Sequence, residues 1–73
     1  MMTLVDCGYP EGLELSAQIV DIANKYQAEQ FSSGSGFGYR DFGFTFQSLS
    51  IAQNFVNEIL LLPSVEIFQL IEV

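Results

Sequence analysis

The alternation of apolar and polar positions changes period several times along the 73 residues. Phe42-Gly43-Phe44-Thr45-Phe46 alternates strictly, and aromatic residues with Thr suit a pleated strand. Downstream, Ala52, Phe55, Val56, Ile59 and Leu60 recur at helical spacing, while Gln53, Asn54, Asn57 and Glu58 occupy the opposite side. Two starts are open for this helix: Ser48 as an N-cap, or Ser50 with Gln53 as a capping box. Pro63 ends it, and Val65 to Val73, rich in Ile, Val, Leu and Phe, reads as a strand. The second half is therefore a strand–helix–strand unit.

The first half repeats that order more faintly. Met2 to Cys7 can form a short strand, and Gly8-Tyr9-Pro10-Glu11-Gly12 is dense with turn signals. Leu15, Ile19, Ile22, Ala23 and Tyr26 then line one helical stripe, with Glu14, Gln18, Asp21 and Lys25 outside it. Leu13 and Leu15 cannot share a helix face, which puts the helix start near Leu13. Residues 28–33 read as another strand, and Ser33-Gly34-Ser35-Gly36-Phe37-Gly38 as a flexible connection into the Phe-rich strand.

The whole order, β-α-β-β-α-β, resembles the ferredoxin-like split-βαβ plan over nearly the full chain. That resemblance implies one α+β domain, residues 1–73, with two helices on one face of a four-stranded antiparallel sheet. Strands one and three would be central, an arrangement that right-handed crossovers favour. The other sheet face would be open. The plan hosts many unrelated functions and assigns none by itself.

Composition narrows the chemistry. Nine acids against Lys25 and Arg40 give a net charge of −7, with 49% hydrophobic residues, no His, no Trp and one Cys. So many apolar residues exclude an acidic disordered tail. Without His, triads and most zinc sites are excluded, and a single Cys cannot form a disulfide within the chain. No metal or cofactor is expected. Two cations release few phosphate counterions, so direct nucleic-acid binding is not expected either. The opening stretch lacks a basic n-region, and the longest apolar run, Ile59 to Leu62, is far short of the roughly 20 residues of a membrane span. A cytoplasmic protein with Cys7 as a plain thiol is the expectation.

Several families of this fold can be tested on the residues. Arg40-Asp41-Phe42-Gly43-Phe44 resembles the start of the third-strand signature of RNA-recognition modules, which place aromatics on the open face to stack bases. Phe46 lies six residues before Ala52, the spacing of the inward, closing Phe in that family. Alternation then turns Phe42 and Phe44 inward too, leaving Asp41, Gly43 and Thr45 outward, and none of these stacks a base. Cys7 stands where metal-transport domains begin a Cys-x-x-Cys pair, but the second position is Pro10, so the pair is absent. The loop from Gly8 to Gly12 lacks the Arg with which acylphosphatases hold phosphate.

The layout also resembles regulatory ACT domains, which start their first helix after a Pro-Gly-hydrophobic turn. Pro10-Glu11-Gly12-Leu13 matches that turn with one inserted residue. The resemblance implies a small effector bound near Gly12 and Leu13 in a dimer; the alternative is that Gly12 is simply a turn residue at a helix start. The stretch Gly34-Ser35-Gly36-Phe37-Gly38 runs into a strand and has no Lys, so it is not a phosphate loop. Its far end gathers Phe37, Tyr39 and Arg40, residue types enriched at binding hot spots, and forms a candidate contact tip.

The last strand is apolar on both alternations, with Val65, Ile67, Ile71 and Val73 on one and Phe68 and Leu70 on the other. A second copy of the chain over the open face would account for this, with Phe68 and Leu70 as the dimer face. Burying both would contribute roughly 3–6 kcal/mol per chain before association costs. No residue pair forms an evident nucleophile and base, so catalysis is not expected. The expected function is a self-associating binding or regulatory module. The alternatives are an acidic inhibitor or nucleic-acid mimic acting on a basic protein, which requires the acids to converge, and an ACT-like small-molecule sensor.

Overall fold

In the computed structural model, which describes residues 2–73, both strand–helix–strand units are present. The elements are β1 (Thr3–Pro10), α1 (Ser16–Lys25), β2 (Glu29–Gly36), β3 (Tyr39–Phe46), α2 (Leu49–Ile59) and β4 (Glu66–Glu72). The four strands form one antiparallel sheet in the order β2-β3-β1-β4, so β1 and β3 are central. Both helices cover one face, giving the α+β ferredoxin-like sandwich. Among the described residues, no helix is long and apolar enough to cross a membrane.

The core lies between sheet and helices. Val5, Cys7 and Tyr9 of β1 and Phe42, Phe44 and Phe46 of β3 point into it, against Ile19 and Ala23 of α1 and Ala52, Phe55 and Ile59 of α2. The strict alternation of β3 thus becomes a ladder of rings. Phe42 and Phe44 are 6.1 Å apart between centroids, and Phe55 of α2 closes on Phe44 and Phe46 at 5.5 and 4.8 Å. Aromatic pairs at these separations add to the burial of their area.

Local chemistry sets the element ends. Ser48 caps α2, its side chain accepting from the Ile51 backbone N–H at 3.3 Å, so it prevails over the Ser50–Gln53 alternative. The first helix begins at Ser16 rather than near Leu13. Gly12 holds a positive φ of 102°, which interrupts any earlier helical turn, and no side chain caps the start at Leu15. The connection after Ser33 is not a flexible one. Ser33 to Gly36 remain paired in β2, because Phe37 and Gly38, with φ of 54° and 82°, complete the hairpin alone as a tight two-residue turn.

Both edge strands carry one register shift. In β4 it falls at Phe68, since Cys7 pairs with Ile67 and Asp6 with Gln69. In β2 it falls at Phe31, since Phe44 pairs with Gln30 and Gly43 with Ser32. Each extra residue interrupts the two-residue alternation and reorients the side chains beyond it. This overturns the expected facing of β4. Leu70, opposite Val5, packs on the core beside Ile67, whereas Phe68 and Ile71 remain exposed. Phe68 and Leu70 therefore share no face: the bulge puts Ile67 and Leu70 on the core side and Phe68 and Ile71 on the other.

Candidate functional site

The face of the sheet away from the helices is built from the alternate positions of the central strands. Leu4, Asp6 and Gly8 come from β1, and Tyr39, Asp41, Gly43 and Thr45 from β3. From the edges, Glu29 stands opposite Thr45, Ser32 opposite Gly43, and Glu66 opposite Gly8. The two glycines leave room that the bulged aromatics fill. A Cβ on Gly43 would lie 2.5 Å from Phe31 Cζ, and one on Gly8 would lie 2.8 Å from Phe68 Cε2. Phe31 and Phe68, each about half exposed, thus flank the centre of the face from opposite edges.

Beside Phe68 lies a shallow cavity of ≈ 280 Å³ lined by Asp6, Ser32, Asp41, Phe42 and Phe68. Asp6 pairs with Gly43 and Asp41 with Gly8, so the two carboxylates are diagonal neighbours across the central ladder. The Cα atoms of such neighbours are about 7–8 Å apart. Among the described residues, neither has a hydrogen bond or ion pair to another group. At the rim, the Tyr39 hydroxyl donates to Glu66 Oε2 at 2.5 Å, and the Tyr39 ring meets Phe68 edge-on at 5.7 Å. The Glu66 carboxylate holds the Tyr39 phenol protonated, with its pKa raised above the ordinary tyrosine value.

Four acids, Asp6, Glu29, Asp41 and Glu66, therefore share this face, with Asp6 and Asp41 at its centre and Glu29 and Glu66 on the two edge strands. Neither base joins them. Lys25 of α1 is paired with Glu58 of α2, which also accepts from the Tyr26 hydroxyl at 2.7 Å. Arg40 stands opposite Tyr9, on the helix-side alternation of β3. This placement was invisible in the sequence, because the four acids are scattered over 61 positions, from 6 to 66, and come to one face only through strand pairing.

The other candidate residues take separate places. Phe37 is fully exposed at the hairpin tip, Tyr39 belongs to the open face and Arg40 to the opposite one, so the three do not form one contact surface. Gly12 and Leu13 sit in the exposed loop before α1, outside the cavity lining. The Gly12 φ of 102° accounts for a glycine there as a turn residue. Cys7 is buried among core residues on the helix side. Burial, aided by the Asp6 charge, pushes its thiol up to about 12, which keeps it protonated at neutral pH. Among the described residues, no three or more His, Cys, Asp or Glu side chains form a group that could hold a metal ion.

The ladder Phe42-Phe44-Phe46 is buried on the helix side, as its register requires, and the aromatics at the open face are Phe31, Tyr39 and Phe68.

No family model matches the chain, and no curated protein sequence matches it. Its fold is that of the crystallised ACT domain from the GTP pyrophosphokinase of Chlorobium tepidum, with a TM-score of 0.68. The match covers 93% of this chain and 97% of that domain at 8% identity. At that identity the likeness concerns the fold, including the β-α-β-β-α-β order and the four-stranded antiparallel sheet.

Proposed function

We propose that this domain is a binding module whose open sheet face takes a basic protein partner. Where that partner also binds nucleic acid, the acidic face competes for the same cations. The observation that carries this reading is the placement of Asp6, Glu29, Asp41 and Glu66 on one face that has no cation among the described residues. A face of one sign steers an oppositely charged partner and repels a like one. Phe31 and Phe68 supply exposed apolar area within the same charged field, the combination of anchor and rim found at protein interfaces.

The same charge weighs against a second copy as occupant of this face. Stacking two copies face to face would bring two sets of four carboxylates together, and like charges a few ångströms apart in a drying interface are costly. The loss of Leu70 to the core removes half of the apolar pair on which such a dimer would rest. A monomer at tens of micromolar in sedimentation equilibrium is the expected outcome. The ACT-like sensor reading has support from the fold alone, and that fold accommodates many functions.

The experiment compares two variants with equal charge loss, using a fluorescein-labelled lysine-rich peptide and anisotropy at low salt. Neutralising the face (D6N, E29Q, D41N, E66Q) is expected to weaken binding at least about tenfold, since each removed charge weakens a salt-dependent attraction. Neutralising Glu11, Glu14, Asp21 and Glu72, which lie elsewhere, is expected to weaken it far less. Equal losses in the two variants would overturn the assignment of binding to this face.

A further inference from the structure

The cavity at the centre of the face has a more specific shape than a general acidic surface requires. Its two carboxylates are diagonal neighbours across the central strands and have no partner among the described residues. A guanidinium placed between them can donate to both, because its N–H groups point outward in one plane as a fixed fork. A compact ammonium spans less. The Phe68 ring forms one wall, and a guanidinium stacks on an aromatic face while keeping its in-plane donors free. Ser32 adds a hydroxyl that can accept a further N–H. Phe31 and Phe68 lie over Gly43 and Gly8, the glycines paired with the two aspartates, so aromatic carbon borders the carboxylates.

Other occupants fit less well. A divalent cation would find two carboxylates where it needs several oxygen ligands. A purely apolar group would leave both carboxylates desolvated and unpaired.

We infer that this cavity is a guanidinium pocket, seating one arginine side chain of the basic partner between Asp6 and Asp41 and against Phe68. The inference rests on the acidic-face reading above and adds the residue type that the face selects. Lysine also makes cation–π contacts, so only the better stacking of the planar guanidinium on a half-exposed ring counts, and arginine is preferred over lysine by roughly 2- to 5-fold.

The test titrates the full chain with labelled hexa-arginine and hexa-lysine at matched ionic strength. Hexa-arginine is expected to bind more tightly within that range. Phe68→Leu, which removes no charge, is expected to weaken hexa-arginine more than hexa-lysine and so narrow the gap between them. Asp41→Asn is expected to weaken hexa-arginine more than Glu29→Gln does, although each removes one charge. Guanidinium chloride at tens of millimolar should displace hexa-arginine from the unmutated chain more than sodium chloride at the same ionic strength, a measurement that needs no variant to fold. Equal affinities for the two peptides, both lost on neutralising the face, would overturn the pocket and leave the acidic face standing. Failure of both peptides to bind, or binding that survives neutralisation of the face, would overturn the two together.

Discussion

Replacing Gly8 with alanine tests how tightly the centre of the sheet is built. Gly8 lies in β1, between Asp41 of β3 and Glu66 of β4. A methyl group there would fall on the backbone carbonyl oxygen of Arg40 and 2.8 Å from Phe68 Cε2. The Phe68 ring can swing outward, but the Arg40 carbonyl belongs to a central strand and cannot retreat without disturbing the ladder. Overpacking of this kind costs about 1–3 kcal/mol. Alanine's smaller backbone entropy loss returns about 0.5–1 kcal/mol, leaving a net loss near 1–2 kcal/mol. At about 4–8 °C per kcal/mol for a domain of this size, the Tm should fall by roughly 5–15 °C. Gly43→Ala is the control. Its methyl would meet Phe31 Cζ and Ser32 Oγ, both at 2.5 Å and both on exposed edge side chains that can turn away. Its net effect should stay within about 0.5 kcal/mol. Thermal melts by far-ultraviolet circular dichroism under one buffer compare the two. A Gly43→Ala melt as low as that of Gly8→Ala, or a Gly8→Ala melt at the parent temperature, would show that the Arg40 carbonyl is not the rigid obstacle.

Three further changes probe the rest of the molecule. Phe37→Asn should raise the Tm by about 4–8 °C, because the turn places a bulky residue at φ of 54° and an Asn-Gly pair relieves about 1 kcal/mol of that cost. An unchanged or lower Tm would count against the turn geometry. Ser48→Ala should lower urea stability by about 1 kcal/mol through loss of the cap on Ile51, whereas Ser50→Ala should stay within about 0.5 kcal/mol. The Lys25–Glu58–Tyr26 cluster sets a pH window. Hydrogen bonds from Lys25 and Tyr26 lower the Glu58 pKa, so its contribution is present above the unfolded value near 4.3 and is lost as pH falls through the lower folded value. The bond to Glu58 raises the Lys25 pKa, so that contribution is present below about 10.4 and is lost as pH rises through the higher folded value. The Tm gap between the parent and Glu58→Gln should therefore be widest between those limits and close on the acid side. A gap that persists at pH 2 would contradict the assignment.

The elements whose side chains obey one period were legible in the sequence. The Phe42–Phe46 alternation and the stripe from Ala52 lead to the end of β3 and the start of α2, and the six-residue step from Phe46 to Ala52 turns the Phe ladder inward as found, although β3 begins earlier, at Tyr39, and α2 ends at Ile59, leaving Leu60 outside it and exposed. What period-two reasoning could not locate were the bulges. One extra residue at Phe68 and another at Phe31 leave no mark in composition, yet they decide which apolar side chains meet the core. The two-residue turn was obscured for a different reason. Phe37 is a poor candidate for a positive φ, so the stretch reads as a longer, looser link. The acidic face depends on three strand pairings at once, and no local pattern encodes those.

Recognition of basic side chains by the open face is decided by a ¹H–¹⁵N correlation spectrum recorded during titration of the labelled protein with hexa-arginine at low salt. Amide shifts centred on Asp6, Gly8, Asp41, Gly43 and Phe68 are expected, with α1 and α2 unmoved and the shifts reversed by added salt. Shifts centred on the helices or on the loop at Gly12, or none across the sheet, would contradict it.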